Sequence, residues 1–142
     1  MAKRYTDSEI WIRQRWFKKL SKDYKLVFFY IKDMCDNIGI WKVDCVDLME
    51  AVDIEDFDLN KFIDCCNQEF DKITGKPVKK VRLKLINDSE LWLTNFVQFQ
   101  YESKDTGKVN HQHIIGGPAL EKLKKKGLYQ DAIKNKYLYV NQ

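Results

Sequence analysis

The apolar side chains of this 142-residue chain change period partway along, and that change limits what it can fold into. Tyr24, Val27, Phe28, Ile31, Met34 and Cys35 recur at the spacing of one helical stripe. They predict a helix over 22–36, with Ser21 as its N-cap and Gly39 as the stop signal beyond it. Leu59, Phe62, Ile63, Cys66 and Phe70 form a second stripe, spaced i, i+3, i+4, i+7 and i+11. From Val81 the period falls to two. Val81, Leu83 and Leu85 alternate with Arg82 and Lys84, as in a half-buried strand with a basic outer row. Helical and then strand periodicity within one domain's length implies an α+β fold.

The remaining signals fill in the order of elements. Thr6-Asp7-Ser8-Glu9 has the form of a capping box and predicts a short helix carrying Trp11 or Ile12, Trp16, Phe17 and Leu20 inward. Ile40–Val43 suits a brief strand, and Asp44 can cap a helix over 45–52 with Val46, Met49 and Val52 inward. An acidic connector, 53–58, precedes the second stripe, and a loop with Gly75 and Pro77 follows it. Asn87-Asp88-Ser89 supplies turn chemistry before a return strand at Leu91–Thr94. This is the layout of a winged helix-turn-helix domain over 1–101: a three-helix core with a short strand and a β-hairpin wing. The aromatic-rich segment 95–101 is expected to close the core against the first helix. Residues 102–142 read as a linker and a short basic helical and strand extension, with a helix over 118–126 and a final strand over 136–140.

Charge is segregated. Residues 1–32 carry nine basic against three acidic side chains, residues 33–72 three against twelve, and residues 73–142 thirteen against six, for net charges of +6, −9 and +7. Such asymmetry points to a polyanion partner for the basic ends and a different partner for the middle. No window approaches the ~20 apolar residues of a membrane span, and no secretory signal is recognisable at the start. The expected setting is the cytoplasm, with Cys35, Cys45, Cys65 and Cys66 reduced and no membrane contact.

Four stretches carry a family likeness: Trp16-Phe17-x-x-Leu20; Cys35-Asp36-Asn37-Ile38-Gly39-Ile40-Trp41-Lys42-Val43-Asp44; Leu91-Trp92-Leu93; and Phe96-Val97-Gln98-Phe99-Gln100-Tyr101. Over roughly residues 5–128 the chain resembles the N-terminal winged-helix domain of replication initiators, or replisome organisers, of phages and mobile elements, which are DnaD-like. Asn110-His111 and the segment Leu120–Leu128 are similar to the stretch that follows in that family. The loop Ile73–Lys79 is longer than usual there. The resemblance implies a protein that binds origin DNA and helps recruit helicase-loading partners.

The residues themselves shape the DNA hypothesis. A third helix laid in a major groove would present Asp58, Asp64 and Glu69 with only Lys61 in compensation, and DNA binding is driven by Lys and Arg contacts to phosphate. The better footprint for double-stranded DNA joins Arg13, Arg15, Lys18 and Lys19 to Lys76, Lys79, Lys80, Arg82 and Lys84, with Lys124 and Lys125 as an outlying addition. Asp47, Glu50, Asp53, Glu55 and Asp56 are the candidate surface for a protein, whether a helicase loader, another replication protein or a second copy of the chain. The rival readings are a protein-interaction module without DNA contact and a transcriptional regulator.

Other chemistries are disfavoured. Adjacent Cys65 and Cys66 on one helix point about 100° apart, which is ill suited to a shared tetrahedral metal with His111 or His113. Gly75-Lys76-Pro77 lacks the remaining glycine and hydroxyl of a phosphate loop. With no readable nucleophile and base pair, the sequence implies neither an enzyme nor a cofactor.

Overall fold

The computed structural model describes residues 5–141. Two single-turn helices, α1 (Glu9–Ile12) and α2 (Arg15–Lys18), lead into α3 (Lys22–Met34), where the Ser21 hydroxyl accepts the Tyr24 N–H at 3.2 Å. After β1 (Ile40–Lys42), the Asp44 carboxylate accepts the Asp47 N–H at 3.0 Å and opens α4 (Cys45–Val52). Asp58 does the same for α5 (Leu59–Cys66) through the Lys61 N–H. An N-cap of this kind contributes ~1 kcal/mol, so Asp44→Ala should lower the stability to urea by about that amount without altering the fold. Unchanged stability would show that Asp47 N–H finds water at no cost.

Two antiparallel hairpins follow: β2 (Gln68–Phe70) with β3 (Pro77–Lys79), and β4 (Leu83–Asn87) with β5 (Glu90–Leu93). β5 also pairs with β1, giving a three-stranded sheet in the order β1–β5–β4, while β2 and β3 stand apart as a two-stranded ribbon. Three helices complete the chain: α6 (Phe96–Tyr101), α7 (Gly116–Lys125) and α8 (Tyr129–Lys134). The fold is α+β with small sheets.

Strand alternation divides the interior in two. Trp41, Leu91 and Leu93 point to one face and join Phe17, Val27, Ile31, Leu48 and Phe62. Ile40 and Trp92 point to the other, where they meet Val109, Leu120, Leu123 and Leu138. Helices α7 and α8 therefore cover the sheet face opposite to α2, α3 and α5, and the polar segment after α6 is pinned by fully buried Val109. Gly39 sits where no side chain fits: its φ is +88°, and a Cβ there would lie 2.6 Å from the Phe96 Cβ.

Several sequence expectations are corrected. Helix α5 stops at Cys66, and Phe70 lies on a strand, because the Asn67 amide is drawn off to the backbone of Arg82 and Leu83. Trp11, Ile12, Met34 and Val46 are exposed, and Leu48 is the buried residue of α4. The segment expected as a final strand makes only a single parallel bridge, Val109 to Val140. The aromatic segment after β5 is a helix that puts Phe96 into the first core and Val97 into the second.

Candidate nucleic-acid interface

Phe70 gathers the basic N-terminus onto the ribbon. The Arg15 guanidinium carbon lies 4.9 Å and the Lys19 ammonium 4.6 Å from its ring centroid, so a cation from α2 and one from the residue capping it rest on an aromatic ring of β2. Directly opposed residues of an antiparallel pair share a face, so Lys79, paired with Gln68, lies on the Phe70 side of the ribbon. Lys72 and Lys76 are exposed beside the turn. Beneath Phe70 is a cleft of about 380 Å³ lined by Trp16, Tyr24, Lys19 and Lys61.

The acids of the ribbon are held within the protein, Glu69 by cations and Asp71 by backbone N–H groups. Glu69 Oε2 accepts from Arg82 at 2.6 Å and lies 4.0 Å from the Lys80 ammonium. Asp71 is tied into the turn, where N–H groups of Thr74 and Ile73 hold its carboxyl below the usual carboxylate range. Four lysines, at 72, 76, 79 and 80, thus dominate the exposed charge of residues 68–80.

Arg82 has a different occupation. Its side chain is only 12% exposed, its guanidinium lies 4.3 Å from the Trp16 ring, and it donates to the carbonyls of Cys66 and Gln68 as well as to Glu69. Burial pulls its pKa down, and the adjacent Glu69 opposes that shift. Arg82 therefore anchors the ribbon to α2 and α5, and its fork is unavailable to phosphate. Lys84 shares the Trp92 face of the sheet and pairs with Asp131 of α8 at 2.9 Å. Lys124 pairs with Glu121 and lies over Tyr129, while Lys125 is exposed on α7. These three lysines belong to the opposite side of the sheet.

Arg13 pairs with Glu9 at 2.7 Å, and the Lys18 ammonium donates to the Ile12 carbonyl at 3.2 Å. Of the cations singled out in the sequence, the structure brings Arg15 and Lys19 together on Phe70 with Lys79 on the same side of the ribbon, while Lys76 is exposed at the turn and Lys80 lies by Glu69. Sequence reasoning missed Phe70 as their organiser and Lys72 beside them. Gly75 and Pro77, flanking a lysine after Phe70, were the available hint of a hairpin.

The acidic candidates also hold together. Asp47 and Glu50 are exposed on α4, Asp53 caps its end, and Glu55 and Asp56 follow in the connector. Among the described residues none of the five has an ion-pair partner within 4 Å. His113 accepts the N–H of Gly116 at 2.9 Å at the start of α7, and Cys66 is a core thiol pushed up in pKa by burial. Among the described residues no helix is long and apolar enough to cross a membrane. No family model matches the chain, and neither does a curated protein or a solved structure.

Proposed function

We propose that this chain is a DNA-binding winged-helix protein of a phage or mobile-element replication initiation system, and that it holds double-stranded DNA with α2 and the β2–β3 ribbon. The element order around the three-stranded sheet supports the winged-helix reading, and the family resemblance supplies the replication setting. One observation carries the proposal: Phe70 joins Arg15 and Lys19 to a ribbon bearing four exposed lysines whose own acids are already engaged. A surface on which exposed lysines outnumber carboxylates suits a polyanion.

Phosphate contacts make binding fall steeply with salt, with a slope of about −0.9 per phosphate on a log–log scale. Binding of a labelled duplex of about 30 base pairs should follow that law between ~50 and ~200 mM salt. Lys79→Glu and Arg15→Glu should each weaken it about tenfold and flatten the slope by about one contact. Lys125→Glu, across the sheet, should leave it unchanged. No binding at low salt, or equal loss from Lys125→Glu, overturns the proposal.

The unpaired acids of α4 and its connector support a further role alongside the first, as a docking face for a basic surface of a helicase loader or similar replication protein. Reversing Asp47 and Glu50 should abolish such an association while leaving duplex affinity intact.

A further inference from the structure

Ile73 sits at the tip of the β2–β3 ribbon and is 95% exposed, the most exposed large apolar side chain among the described residues. A lysine-rich arm that only held phosphates would have no use for it. The turn is built to keep it outside. The Asp71 carboxylate accepts the N–H groups of Ile73 and Thr74, both at 2.8 Å. The Gly75 N–H returns to the Asp71 carbonyl at 2.8 Å, and the Asp71 N–H donates to the Lys76 carbonyl at 2.9 Å. Gly75 closes the loop at φ +70°, a conformation that suits glycine. The backbone of the tip is thus fixed by four hydrogen bonds while the Ile73 side chain stays in water.

Around this apolar tip lysine is the prevailing charge, with the Asp71 carboxylate turned to the backbone of the loop. Lys72 and Lys76 flank it and Lys79 and Lys80 line the stem, with Glu69 and Asp71 engaged within the protein. An apolar point with a cationic rim is complementary to a ligand that is anionic outside and apolar within. Duplex DNA has that construction, and its stacked bases are reached from the minor groove by wedges of Ile, Leu, Phe or Met that kink the helix.

We propose that Ile73 is such a wedge: the ribbon enters the minor groove, Ile73 partly unstacks one base step, and the chain bends the DNA it binds. The lysines hold the phosphates on either side. This inference rests on the DNA-binding reading above and adds a mode of binding to it. Since Ile73 packs against nothing in the fold, shortening it leaves the protein intact.

The test uses the full chain and a duplex of about 30 base pairs carrying a donor and acceptor at its ends and 2-aminopurine at a central flexible step. The wild-type protein should shorten the end-to-end distance and raise the 2-aminopurine emission. Ile73→Ala should bind about tenfold more weakly and lose both signals, yet keep the wild-type salt slope, because no phosphate contact is removed. Ile73→Met should retain both signals. If the wild type binds in a salt-dependent way but does not bend the duplex, or if Ile73→Ala bends it equally well, the wedge is overturned and the DNA-binding proposal stands. Failure of the wild type to bind duplex overturns both. Vesicles containing phosphatidylserine, tested in parallel, identify the other apolar and anionic target: capture of the protein there, lost in Ile73→Ala, would assign the tip to a membrane surface and overturn the wedge.

Discussion

Trp92→Ala is expected to lower the free energy of unfolding by ~3–5 kcal/mol, the usual cost of truncating a fully buried Trp. Trp92 is 1% exposed, sits on the central strand opposite Ile40 and Lys84, and meets Tyr137 edge-on at a centroid distance of 5.7 Å. It is the largest side chain in the second core and links the sheet to the segment after α6. A domain of this size is stable by ~5–15 kcal/mol, so the variant would retain a marginal fold. The informative measurement is the urea transition followed through the remaining tryptophans, of which Trp16 and Trp41 lie in the first core and Trp11 packs on Phe17 there. If the two cores unfold as one unit, that signal moves to lower urea together with the far-ultraviolet circular dichroism. A tryptophan transition that stays in place while helicity is lost early would show that the C-terminal helices melt by themselves.

What the sequence disclosed depended on whether local or distant partners decided each element. Ser21, Asp44 and the stripe of α3 act within one or two turns, and the predicted bounds of α3 and α4 agree with those observed to within two residues. The alternation at Leu83 and the turn at Asn87–Ser89 are equally local, and the hairpin lies where they place it. Phe70 misled because it continues the apolar stripe of α5 in register; only the distant Arg82 and Leu83 backbone, by capturing Asn67, ends that helix. Trp11 and Val46 look like core residues in sequence, but Trp11 packs only one side of its ring, on Phe17 and Phe29, and α4 turns Leu48 inward in place of Val46. The candidate site divides in the same way. That the ends of the chain are basic is visible by counting, whereas which cations remain available is not. Lys84 is paired with a residue 47 positions away, and Arg82 is spent on a carboxylate and an indole.

Asn67→Leu is the second large effect expected, and it tests whether the ribbon is held or merely attached. Asn67 is buried, and its Oδ1 accepts from the N–H of Arg82 at 2.8 Å and of Leu83 at 2.9 Å. Its Nδ2 donates to the Leu83 carbonyl at 2.9 Å, and its own carbonyl accepts the Lys80 N–H at 2.7 Å. One residue therefore joins the end of α5 to the start of β4 and closes the base of the loop that carries the ribbon. Leucine has nearly the same shape and none of the side chain's partners. It would leave two N–H donors and one carbonyl buried without hydrogen bonds, at ~1–3 kcal/mol each, and partial relaxation should bring the total to about 3–4 kcal/mol. Asn67→Asp keeps the oxygen that accepts both N–H groups, loses the donor and sets a carboxylate oxygen against the Leu83 carbonyl, so its cost should fall between wild type and leucine. Under native conditions the Arg82 and Leu83 amides should exchange with deuterium much faster in Asn67→Leu than amides of α3. Duplex binding should weaken as well, because a ribbon released at its base no longer holds Phe70 against Arg15 and Lys19. Slow exchange at both amides, with unchanged duplex affinity, would mean that the Arg82 interactions with Glu69 and Trp16 suffice to hold the ribbon without the Asn67 amide.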